Sequence, residues 1–220
     1  MIPPAVKARL YDLGAASPLI VWYAMAVAGL VPRIGSELAQ PMSLRLFLQV
    51  TAEIVTVVFL GVQMLLFFIR RLPLAKEEGW LPRLCAIVGA NLPLALLALP
   101  RVQHGLALTA VGYVLVIAGT AGAVIIALWL GRGFSILPQA RRLVTDGPYR
   151  RIRHPLYLAE QLVTFGSMWQ FQQPWSALIA LASFAAQFPR MHFEEHILAR
   201  TFPEYRAYCA RTWRLVPGLY

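Results

Sequence analysis

Long apolar runs alternate along this chain with short connectors rich in arginine. A helix rises 1.5 Å per residue and the hydrocarbon layer is about 30 Å thick, so about 20 apolar residues cross it. Four runs approach or exceed that length: about Pro18 to Val31, Leu44 to Ile69, Leu84 to Leu99 and Leu106 to Leu130. The first is short, which predicts a tilted helix or an earlier start. A fifth apolar region, Leu156 to Phe188, is interrupted by Gln170-Phe171-Gln172-Gln173-Pro174. Proline behind a polar stretch ends a helix, so this region predicts a helical hairpin. The expected fold class is all-α: a polytopic transmembrane helical bundle of about five to six spans, including the C-terminal hairpin, with a cytoplasmic C-terminal helical tail.

Composition agrees with lipid as the solvent. Of 220 residues, 59% are hydrophobic and only 14% charged, where a soluble domain carries about a quarter charged residues. The net charge of +10 raises nucleic acid as a partner, but the basic residues sit between apolar runs, as positive-inside topology and anionic headgroups require. With the N-terminus inside and six crossings, 17 of the 20 Lys and Arg fall on the inner side, leaving Arg33, Arg45 and Arg101 outside. A single fifth span would carry the basic tail outside, so this count also favours the hairpin. Both termini are therefore expected in the cytoplasm, and the minimal loops suggest a bacterial inner membrane. No secretory cleavage pattern follows Lys7 and Arg9. Cys85 and Cys209 form no metal or disulfide pattern.

Candidate chemistry collects in two polar stretches, 131–154 and 190–220, both assigned to the cytoplasm. Gly131 and Gly133 permit close backbone approach to a ligand. Pro155 suits a first helical turn, which places Arg153 and His154 just before a helix start, where free N–H groups favour an anion. Tyr157 follows within a turn. An ordinary basic juxtamembrane loop is the plain alternative. In the tail, Glu194 and Glu195 leave an apolar helix together, and carboxylates there need partners. They suit ribose hydroxyls, an ammonium or a sulfonium; alternatively Glu194 pairs with Arg190 one turn earlier. His192 and His196 share a helix face, and with His154 would make a zinc hydrolase, although the Glu positions depart from H-E-x-x-H. Within the spans Glu53, Gln63, Asn91, Glu160 and Gln161 are the polar exceptions; Glu160 lies a turn beyond Tyr157.

The run Gly147-Pro148-Tyr149-Arg150-x-x-Arg153-His154-Pro155-x-Tyr157 resembles the isoprenylcysteine carboxyl methyltransferase and phospholipid methyltransferase superfamily. So does the run through Glu194, Glu195, Leu198, Phe202, Tyr205 and Tyr208, closing on Arg214 and Pro217. The resemblance covers Leu130 to Pro217. It implies an integral membrane methyltransferase using S-adenosyl-L-methionine, with the acceptor delivered from the bilayer. Gly131, Gly133, Tyr149, Arg153, His154, Pro155, Tyr157, Glu194 and Glu195 would bind the cofactor, and Arg153, His154 and Glu195 would be catalytic. Residues 1–130 would then be scaffold and substrate access, and 131–220 the methyltransferase region. The acceptor would be lipid-like: an isoprenylcysteine-type carboxylate, an isoprenoid or a phospholipid amine. No metal and no nucleic acid are expected as partners. A relative that has lost catalysis and serves interaction or transport is the competing reading. One departure from the pattern is Ala159, where many members carry glycine.

Overall fold

A computed structural model describes residues 3–219. The helix α1 spans Pro4–Leu38, 35 residues with Pro18 and Pro32 inside it. It starts earlier and ends later than the apolar run alone suggests. The next helix, α2, spans Leu44–Ile69, and the Ser43 hydroxyl caps its start by accepting from the Leu46 N–H. A short helix α3, Leu81–Asn91, continues as a 3₁₀ turn through Leu92–Ala98. Then come α4, Leu106–Leu130, α5, Pro155–Met168, α6, Trp175–Thr201, and the short α7, Tyr205–Cys209. A two-residue ribbon pairs β1, Ala75–Lys76, with β2, Gln139–Ala140, antiparallel. It joins the loop between α2 and α3 to the loop between α4 and α5.

Among the described residues four helices are long and apolar enough to cross a bilayer: α1, α2, α3 with its 3₁₀ extension, and α4. The predicted hairpin forms as α5 and α6. Its turn sits beside the loop that precedes α4: Val102 N–H donates to Gln170 O, and Gln172 N–H to Pro100 O, both at 3.0 Å. The hairpin therefore reaches the far end of the bundle, although α5 has only 14 residues.

The tightest packing is between α4 and α5. A Cβ on Gly166 would lie 2.7 Å from Gly112 O, and one on Gly119 would lie 2.8 Å from Ala159 O. Small residues here let two backbones touch, as membrane helix pairs require where lipid supplies no hydrophobic drive. Ala159 thus packs against α4, and its departure from glycine does not touch the cleft described below. The core beneath that cleft joins Leu66 and Phe67 of α2, Ala127 of α4, Phe134, and Met191 of α6.

Buried charges tie the ends of the elements together. Asp12 of α1 accepts from Arg70 at 2.9 Å and from Arg141 at 2.6 Å. One carboxylate thereby anchors α1, the end of α2 and the loop after α4. At the other end of α1, Arg33 bridges Glu37 and Glu53, each at 2.9 Å. Glu53 is an interhelical partner, the plainer of the two readings open to an intramembrane acid.

Candidate active site

The site is built where α4 ends, α5 begins and α6 emerges. Gly131 terminates α4 with φ +50° and ψ −124°, a conformation that an L side chain rarely adopts. The chain then turns tightly through Gly133. At Gly147, φ is +58° and a Cβ would lie 2.6 Å from the Trp129 indole. That close approach presses the motif segment 147–154 against α4. His154 is the residue before α5, and Pro155 is its first, as the sequence predicts.

The same segment is held from behind by the tail. Arg153 N–H donates to Trp213 O at 2.8 Å, His154 N–H to Arg214 O at 3.0 Å, and Trp213 N–H to Arg151 O at 2.9 Å. The hydroxyl of Tyr208 donates to Tyr149 O at 2.7 Å. Two stretches about 60 residues apart in sequence therefore share one ladder of backbone bonds.

The adjacent glutamates take different tasks. Glu194 accepts a hydrogen bond from the Tyr157 hydroxyl. Glu195 faces two guanidiniums and an imidazole: its Oε1 is 3.0 Å from His154 Nε2 and 3.3 Å from Arg153 Nε, and its Oε2 is 2.8 Å from Arg214. Burial works to raise the Glu195 carboxyl, but hydrogen bonds from His154 and Arg214 and the nearby charges outweigh it and hold it down to about 2. The His154 ring stacks on Tyr157 with centroids 5.1 Å apart. Arg190 does not pair with Glu194 along the helix. Its guanidinium turns to Glu160 at 3.3 Å and lies 4.2 Å over the Tyr157 ring. Glu160 thus joins the site through Arg190.

A cleft opens between the loop and the tail. Gly133, Tyr149, Arg153 and Glu194 line it, with Arg142, Tyr205 and Tyr208. Burial raises the hydroxyls of Tyr149, Tyr205 and Tyr208, which keeps them neutral donors. His154, Tyr157 and Glu195 stand immediately behind this lining. Gly131 shapes the end of α4 away from the cleft, and Pro155 faces a different groove, between α4 and α5. Seven of the nine expected cofactor residues are thus gathered at one place. Arg142, Arg190 and Arg214 were given no cofactor role in the sequence, nor were Tyr205 and Tyr208. The last two and Arg214 lie inside the quoted tail motif, which was the available signal; Arg142 and Arg190 had none.

The histidines are separated by their partners: His154 meets Glu195, while His196 meets Glu77 on the ribbon loop. Among the described residues no three His, Cys, Asp or Glu side chains gather as a metal site.

Comparison with known proteins agrees with the motif. The chain is 38% identical over 117 residues to the nickel-cobalt-cadmium resistance protein NccN of Alcaligenes xylosoxydans xylosoxydans, covering 51% of each chain. It is 40% identical over 80 residues to the cobalt-zinc-cadmium resistance protein CzcN of Cupriavidus metallidurans, covering 35% of this chain and 36% of that one. The chain thus spans about half the length of the first relative and about a third of the second. Residues 100–205 match the family described as phospholipid methyltransferase. The matched segment takes in α4, the cleft's loop and the hairpin.

Proposed function

We propose that the chain transfers a methyl group from S-adenosyl-L-methionine, bound in the cleft between loop and tail, to a lipid-like acceptor that arrives from the bilayer. The observation that carries this reading is the convergence of Tyr149, Arg153 and Glu194 on one cleft, with His154, Tyr157 and Glu195 behind it. The donor set fits the cofactor. Glu194 would offset the sulfonium charge, Arg142 and Arg153 would take the amino-acid carboxylate, and the tyrosines offer stacking faces. Bound there, S-adenosyl-L-methionine would supply a methyl group already activated on sulfur.

The protein's own part is then mainly positioning. Glu195, held by Arg153, His154 and Arg214, acts as a positioning residue that fixes the loop against the tail. Gly131 and Pro155 contribute by shaping α4 and α5. An amine acceptor must lose a proton, for which His154 stands beside a carboxylate; a carboxylate acceptor needs no base. The free volume in the cleft is about 50 Å³, far below the several hundred that small-molecule sites offer. Cofactor entry on this reading moves Tyr205, Tyr208 or Leu198 outward.

The same reading divides the chain at about residue 130, with α1 to α4 as scaffold and acceptor access. It places the basic end, the cleft and both termini in the cytoplasm of a bacterial cell, at the inner membrane. The relatives' names attach them to resistance to nickel, cobalt, cadmium and zinc. Methylation of a membrane component that serves metal tolerance is the physiological setting we propose. The purified protein should bind S-adenosyl-L-methionine at micromolar strength in calorimetry and carry labelled methyl into a lipid extract. Folded protein that gives neither heat nor labelled lipid would sink the enzyme reading and favour the interaction or transport relative.

A further inference from the structure

On the bilayer side of the cofactor loop lies a second cavity that the methyl-transfer site does not use. It is a groove of about 450 Å³ between α4 and α5, within the range of small-molecule sites. Its walls are apolar, with Gly122, Ile125 and Leu162 among them. Ile125 is well exposed at the bundle surface. At its inner end the groove is closed by Arg150, Arg151 and Ile152 of the motif segment. Both arginines are exposed. Among the described residues neither guanidinium has an ion-pair partner, whereas Arg153, two positions on, is taken by Glu195. An apolar trough ending in two unpaired guanidiniums, on the basic side of the bundle, is complementary to an acyl chain below a phosphate.

We propose that this groove binds an anionic phospholipid of the inner leaflet, and that the bound lipid braces the cofactor loop. The bracing part rests on the methyltransferase reading. Its physical basis is that segment 147–153 is the wall between two cavities. Tyr149 and Arg153 face the cleft, while Gly147, Pro148, Arg150, Arg151 and Ile152 face the groove. A lipid seated on one side restricts the motion of the side chains on the other, so occupancy of the groove and affinity in the cleft are linked, and the linkage is reciprocal. The arrangement also accounts for three arginines within four positions serving different ends: Arg150 and Arg151 meet the leaflet, and Arg153 meets the tail.

The test uses the full chain in nanodiscs of phosphatidylcholine with or without phosphatidylglycerol. Native mass spectrometry reads the lipid retained, and calorimetry reads S-adenosyl-L-methionine affinity. The wild type should retain phosphatidylglycerol in preference to phosphatidylcholine and bind the cofactor about tenfold more tightly where phosphatidylglycerol is present. The double variant Arg150→Gln, Arg151→Gln should lose both differences. Gly122→Leu, which fills the trough and leaves the arginines in place, should lower retention as well. A Gly122 Cβ would meet only Ala159 Cβ at 3.9 Å, ordinary contact, so that variant should fold. Equal phosphatidylglycerol retention by wild type and both variants overturns the lipid site. Lost retention with unchanged cofactor affinity overturns the bracing. Selective retention with no cofactor heat in either bilayer supports the lipid site and overturns the methyltransferase reading instead.

Discussion

Replacing Glu195 with glutamine tests whether one carboxylate locks the loop to the tail. The substitution keeps the shape and removes the negative charge that faces Arg153, His154 and Arg214. Holding the carboxyl at about 2 instead of 4.5 corresponds to about 3 kcal/mol of favourable interaction with the ionised form. The side chain keeps 17% of its surface exposed, so solvent screening trims this to about 1–2 kcal/mol. In a chain of this size that lowers the melting temperature by about 2–8 °C. The pH dependence has a definite sign. A carboxyl whose folded pKa lies below its unfolded one contributes stability fully present above the unfolded value, here 4.5, and lost as pH falls toward about 2. Thermal melts of detergent-solubilised protein should therefore show a destabilised variant above pH 5. Its deficit should shrink as the pH is lowered through that window. A variant that melts with the wild type at neutral pH, and follows the same acid decline, would refute the lock.

Other expectations follow from the packing. Gly166→Ala should destabilise by about 1–3 kcal/mol, read as a lowered melting temperature, because its Cβ would lie 2.7 Å from Gly112 O and 2.8 Å from Val116 N. Asp12→Ala leaves Arg70 and Arg141 buried without a counter-charge; a loss of about 3–5 kcal/mol is expected, seen as poor recovery of folded protein in size-exclusion chromatography. For topology, Arg101→Cys should react with a membrane-impermeant maleimide in intact cells, whereas native Cys209 should react only after permeabilisation.

Much of the bundle was legible where chemistry at the ends of a run is local. The bounds of α2 and α4, Leu44–Ile69 and Leu106–Leu130, coincide with the apolar runs because Ser43 and Gly131 mark their edges. The first helix starts earlier, as the short run implied, and also ends later, with Pro18 and Pro32 inside it; transmembrane helices tolerate proline where freed backbone groups find other partners. Pro93 had the opposite effect, near the point where α3 passes into its 3₁₀ turn. At the site, the two motifs identified Glu194, Glu195 and Tyr157, because each sits beside recognisable neighbours in sequence. The partners themselves were not legible. Arg190 had Glu194 within a helical turn and chose Glu160, 30 residues away, because packing of α5 on α6 decides which charge it meets. Asp12 and Arg141 are 129 residues apart, and nothing in either local stretch names the other.

The ladder between residues 151–154 and 213–214 has a biosynthetic corollary. A chain that stopped at Thr201 would carry all the apolar helices into the membrane and both glutamates with them. It would lack Tyr208, Trp213 and Arg214, which steady Tyr149, Arg153, His154 and Glu195. Insertion and bracing are therefore separate events during synthesis: a stop before Tyr208 would yield a membrane-resident chain whose loop is unbraced, and fusing a bulky reporter just beyond residue 214 would load the very residues that hold the loop to the tail.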